Sequence, residues 1–85
     1  MAHTHVLKID PEWYNRVREG AKRAEVRKHD RDFQTGDLLT LLEWNSDHKK
    51  ATGRLLYAKV THVLAAVDGI DPGYCVLSVQ IEGER

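Results

Sequence analysis

The stretch Gly20-Ala21-Lys22-Arg23-Ala24-Glu25-Val26-Arg27 decides the fold, because helical spacing gives way there to alternation. Gly20 stops the preceding helix, since a residue without Cβ adopts the left-handed conformation at little cost. Lys22 follows in the turn, and Ala24 to Arg27 reads as a strand. Alternation puts Glu25 and Arg27 on one face, with Ala24 and Val26 on the other. Strict alternation sends Lys22 to the face opposite Glu25; the three charged groups meet only if Lys22 still lies in the turn. Glu25 and Arg27 also read as a solvated ion pair on an open sheet face, an arrangement that is common and contributes little.

Upstream, Thr4 to Ile9 forms a first strand, with His5, Leu7 and Ile9 on one face and Val6 and Lys8 on the other. Asp10 and Pro11 open a helix. The aspartate suits the capping position, and proline suits the first helical residue, whose N–H has no partner anyway. Trp13 and Val17, four apart, share a helical face and are expected to pack on the sheet.

Downstream, His29 to Asp37 is polar, with a short helical turn predicted near residues 30–34 and Phe33 as its plug into the core. Gly36-Asp37 is a turn signal. Leu38 to Trp44 is apolar on both faces and reads as a central strand. Asn45 to Gly53 is a loop. Arg54 to Ala65 is a long strand, with Leu56, Ala58, Val60 and His62 on one side. A strand of that length in a small barrel bends and serves two sheet edges. Asp68-Gly69 and Asp71-Pro72-Gly73 mark the next connection. Tyr74 to Ile81 is the last strand, with Cys75, Leu77, Val79 and Ile81 facing inward, and Glu82 to Arg85 is a frayed tail. One helix, five strands and frequent turns predict a mainly β, α+β fold: a small mixed β-barrel formed by a single domain over residues 1–85.

With 85 residues, 41% hydrophobic and 31% charged, the chain has the composition of an ordinary globular protein with a modest core. A lone Cys75 forms no internal disulfide and reads as a small buried hydrophobe, so a reducing, cytoplasmic setting is expected. There is no apolar run of membrane-spanning length and no signal-peptide pattern, so no membrane partner is expected. The formal net charge is zero. Between Arg16 and Arg31, however, seven bases stand against three acids, a local +4 that the remainder balances with −4. A basic segment on a neutral protein suits a local anion site better than a long phosphate track. The five histidines and one cysteine have no zinc-finger spacing, and neither metal nor cofactor is expected. Phosphate-loop and nucleophile-elbow motifs are absent.

Gly20-x-Lys22-x-x-Glu25-x-Arg27 resembles the signature of ASCH (activating signal cointegrator homology) domains, small β-barrels related to the PUA fold of RNA-modifying enzymes. His5-Val6-Leu7-Lys8, the run Lys28 to Phe33, Thr35-Gly36-Asp37 and Gly73-Tyr74 extend the resemblance over residues 5–81, toward a compact phage and bacterial branch. It implies a charged cleft that binds RNA or a nucleotide-like ligand through His5, Lys8, Lys22, Glu25, Arg27 and Arg31, in a monomer or weak dimer. In relatives that resemble amidohydrolases of N4-acetylcytidine, the motif lysine works with a threonine three residues later; here that position is Glu25, so that activity does not carry across. Two other readings stand beside binding. One is a small hydrolase of RNA or modified nucleosides with Lys22 and Glu25 as its acid–base pair. The other is a phage accessory protein that docks on a host protein.

Overall fold

A computed structural model describes residues 2–85. Its elements are β1 (Thr4–Ile9), α1 (Pro11–Arg18), β2 (Ala24–Lys28), β3 (Leu38–Asn45), β4 (Lys50–Leu64) and β5 (Tyr74–Glu84). The five strands form one mixed sheet in the order β1-β3-β4-β5-β2. β1 lies parallel to β3 and the other pairs are antiparallel. The sheet curls into a half-barrel, so that its two edge strands, β1 and β2, come close enough for side chains to bridge them. The mainly β architecture with one short helix matches the sequence expectation.

Inward-facing residues of four of the five strands build the core: Leu7 and Ile9 from β1, Leu39 and Leu41 from β3, Leu56, Ala58 and Val60 from β4, and Cys75, Leu77 and Val79 from β5. Phe33 plugs it as expected, but the chain around it is irregular and the helical turn expected at 30–34 does not form. A backbone bond from Phe33 N–H to the Arg31 carbonyl bends the segment instead. The turn that follows has Gly36 at φ +97° and a bond from Asp37 N–H to the Gln34 carbonyl.

Helix α1 begins as expected at Asp10-Pro11, but the Asp10 side chain makes no capping bond; its carbonyl starts the helix by accepting Tyr14 N–H. Gly20, at φ +83°, ends the helix. The buried helical face is Tyr14 and Val17, not Trp13 and Val17; Trp13 is 44% exposed. Tyr14 wins because Arg54, reaching over from β4, covers its ring at 4.5 Å.

β4 serves two neighbours, pairing with β3 from Lys50 to Lys59 and with β5 from Leu56 to Leu64, so that its middle is held on both sides. An irregularity in the β4–β5 ladder between Val60 and His62 leaves Thr61 as an extra residue. An extra residue reverses facing beyond it. His62 is therefore exposed rather than packed, and Val63 and Ala65 turn to the core. The β3–β4 loop is shorter than Asn45 to Gly53, because Trp44 already pairs with Ala51 and Asn45 with Lys50. The Asn45 side chain organises the turn by accepting the N–H groups of Asp47 and His48. The chain end is not frayed. β5 runs to Glu84, and Arg85 exchanges two backbone bonds with Leu55.

Candidate anion and nucleotide site

Strand β2 is an edge strand whose alternation is as expected but whose facing is unusual. Val26 points outward and is 66% exposed, whereas Glu25 points inward and is 4% exposed. An inward carboxylate persists only when its oxygens are satisfied. Lys22, held in the turn after Gly20, gives its ammonium to Glu25 Oε1 and to the Ala24 carbonyl. Arg27 gives Nε and Nη2 to Glu25 Oε2 at 3.2 and 3.0 Å. Lys22, Glu25 and Arg27 thus converge, as the turn placement of Lys22 requires, on the inner face rather than on a solvated one.

The cluster sits where the half-barrel stays open. Arg27 Nη2 also donates to the Lys8 carbonyl at 2.9 Å, and Arg31 Nη1 donates to the Val6 carbonyl at 3.1 Å. These two side chains span the seam between β2 and β1. Two depressions lie along the seam, and another lies beside it between α1, the α1–β2 turn, β4 and β5. The largest, about 510 Å³, includes Val17, Lys22, Arg23, Thr61, Val79 and Gln80 in its lining. A second, about 210 Å³, has Lys8, Trp13, Glu25 and Arg27 around it. A third, about 200 Å³, lies between Arg27 and Arg31. Arg27 is common to the last two. The Lys22–Glu25 pair stands between the first two, with one partner in each lining.

The expected residues therefore form a line along the seam rather than a ring around one cleft. Lys8 keeps its ammonium 3.9 Å from the centre of the Trp44 ring, a cation–π contact, while lining the Trp13 depression. His5 lies apart and lines none of the three. Its Nε2 meets Asp37 Oδ2 at 2.8 Å and its ring packs against Phe33 with centroids 4.7 Å apart. Asp37 is 1% exposed. Burial opposes its ionisation, but hydrogen bonds from His3 N–H, His5 and Gln34 N–H, with the charge of His5, outweigh that and hold the carboxyl at about 2.

Sequence reasoning placed Trp13 in the core rather than at a groove wall, and it missed a third buried carboxylate, Glu43. Arg54 holds Glu43 with bonds of 3.0 and 2.7 Å, and Thr52 donates its hydroxyl to the same carboxylate. The hydrogen bond from Arg54, partly opposed by burial, lowers the Glu43 carboxyl below its ordinary range. The available signal was a glutamate closing the apolar run of β3, with Thr52 and Arg54 returning across a hairpin. Burial raises the Cys75 thiol, in keeping with a packing role. Among the described residues no group of three or more His, Cys, Asp or Glu side chains could hold a metal, and no helix is long and apolar enough to cross a membrane.

A family model for a domain of unknown function (DUF3850) matches residues 4–79. An uncharacterized 12.9 kDa protein in the GpA 3' region of Escherichia phage P2 is 39% identical over 71 residues. That alignment covers 84% of this chain and 63% of the phage protein, so the chain spans less than two-thirds of its relative's length. Neither match brings an activity with it.

Proposed function

The chain belongs to the family of the domain of unknown function DUF3850, and from its geometry we propose that it is a nucleotide- or single-stranded-RNA-binding domain of the ASCH, PUA-like kind. The observation that carries this reading is the buried carboxylate of Glu25, which fixes Lys22 on one oxygen and Arg27 on the other between adjoining grooves. A cation held by a buried partner is preorganised, so less side-chain entropy is lost when it meets an anion. The half-exposed Trp13 beside them supplies an apolar plane on which a base can stack, the combination of cation and aromatic that single-stranded nucleic acid requires. The largest groove falls within the size range of small-ligand sites.

Two features support the ASCH, PUA-like kinship. The Gly-x-Lys-x-x-Glu-x-Arg motif lies at the seam where a barrel of that kind would close, and the curled sheet leaves its edges facing one another. Lys8 and Arg31 extend the line of cations. Glu25 acts in this reading as a positioning residue, because both its oxygens are already engaged.

The direct Lys22–Glu25 contact also favours a second reading, a hydrolase acting on RNA or a modified nucleoside. One set of variants separates the two. Binding of labelled single-stranded RNA and of nucleotides is measured at two salt concentrations, with Trp13 quenching as a second readout. The binding reading expects affinity that weakens with salt as about two to four phosphate contacts would. It expects Arg27→Ala and Trp13→Ala to lose that affinity. Turnover of RNA or an acylated nucleoside that disappears in Lys22→Arg would favour the hydrolase. Absence of binding to RNA, nucleotides and nucleosides alike would refute the proposal and leave a protein partner as the better reading.

A further inference from the structure

The third depression has a geometry of its own. Arg27 and Arg31 are both tethered to β1, on the carbonyls of Lys8 and Val6. Carbonyls two residues apart on a strand point off the same edge, about 6.6 Å from one another. The two guanidinium groups are therefore set by the backbone of a neighbouring strand, not by solvent. Arg27 commits Nε and Nη2 to Glu25 and Lys8, leaving its Nη1 protons; Arg31 commits one Nη1 proton, and its remaining donors have no partner among the described residues. Each guanidinium carries five N–H donors in a planar fork that matches phosphate oxygens. The depression between them, about 200 Å³, also has Lys28 and Asp30 in its lining, over an apolar base of Leu7 and Phe33. Its three cations face one local acid, and the Glu25 carboxylate is turned to the adjoining depression.

We infer that this depression is a phosphate-monoester subsite, in which Arg27 and Arg31 grip a single phosphate from two sides and Lys28 adds charge. The subsite adjoins the Trp13 depression through Arg27, so a ligand with its base against Trp13 carries its terminal phosphate here. That second statement rests on the nucleotide reading; the phosphate grip itself rests on the seam geometry alone. The ligand class is then a nucleoside monophosphate, or an RNA end bearing a phosphate, in preference to a nucleoside.

The test uses the whole chain and titrates inorganic phosphate at constant ionic strength while amide ¹H–¹⁵N signals are followed. Signals of residues 6–8 and 27–31 are expected to shift saturably. Arg31→Ala should weaken the apparent affinity roughly tenfold or more, the usual weight of a charge-assisted bond. Arg31→Lys keeps the charge but loses the fork and should weaken it as well. Lys59→Ala, an exposed cation on β4 removed from the seam, should leave it unchanged. Shifts that do not saturate, or an affinity equal in wild type and Arg31→Ala, would overturn the subsite. A second arm compares a nucleoside with its 5'-monophosphate. Preference for the monophosphate that Arg31→Ala removes is the expected result. Equal binding of the two would sink the subsite while sparing the nucleotide reading. Phosphate binding here without nucleoside binding anywhere would do the reverse.

Discussion

Replacing Asp37 with asparagine should flatten the acid limb of the stability curve. The carboxylate is buried and accepts three donors: His3 N–H at 3.1 Å, Gln34 N–H at 2.9 Å and His5 Nε2 at 2.8 Å. These bonds hold the group at about 2 against an ordinary 3.8. The gap is somewhat under two pH units, and at 1.36 kcal/mol per unit it corresponds to about 2 kcal/mol of stability. The folded-state value is depressed, so the unfolded chain takes up the proton first as pH falls. The stabilisation is therefore complete above the unfolded value near 4 and is lost as pH drops through about 2. Urea unfolding at pH 5 and pH 2.5 measures it. The wild type should lose more stability over that window than Asp37→Asn, by on the order of 1–2 kcal/mol. At pH 7 the variant should melt roughly 8–16 °C lower, given about 4–8 °C per kcal/mol for a domain of this size. Parallel pH profiles for the two proteins would refute the reasoning, because they would mean that Asp37 ionises alike in folded and unfolded chains.

Leu77→Ala removes a fully buried side chain from the middle of β5 and should cost about 2–5 kcal/mol in chemical unfolding, a large part of a small domain's stability. Arg54→Ala strands the buried Glu43 carboxylate and uncovers Tyr14, so the melting temperature should fall, and Arg54→Lys should recover only part of the loss. Hydrogen exchange should find the amides of Leu55 and Arg85 protected, whereas rapid exchange at both would restore the frayed tail. Trp13→Ala should change the melting temperature little, in contrast to Tyr14→Ala, which empties the helix–sheet interface.

The strands and their inward faces were legible wherever alternation ran uninterrupted: His5, Leu7 and Ile9 on β1, and Cys75, Leu77 and Val79 on β5. Gly20 marked the helix end because its left-handed backbone has few other occupants. Elsewhere the deciding partner lay far along the chain. Trp13 and Tyr14 both stand at helical spacing from Val17, and the choice between them is made by Arg54. His62 was placed inside because the extra residue at Thr61 has no composition signal; it is a property of the pairing with β5. Within the site, Glu25 and Arg27 were correctly put on one face, yet the ordinary preference for an apolar interior would have turned Val26 inward. The inverse holds because Lys22 and Arg27 satisfy both oxygens of Glu25, which requires the backbone turn after Gly20. Asp37 carried a turn signal that was read correctly, but its burial came from His5, more than thirty residues earlier.

The arginines at the seam also act as guards. An edge strand offers unpaired carbonyls to any other extended chain, which is how sheets grow from one molecule into the next. On β1, two of those acceptors, at Val6 and Lys8, are already taken by Arg31 and Arg27. A long charged side chain covers the edge without adding a strand, so these two acceptors are withheld from the edge of a second chain. Loss of both arginines would leave a bare edge beside exposed Val6 and Val26. Such a chain should polymerise by strand addition at concentrations where the parent remains dispersed.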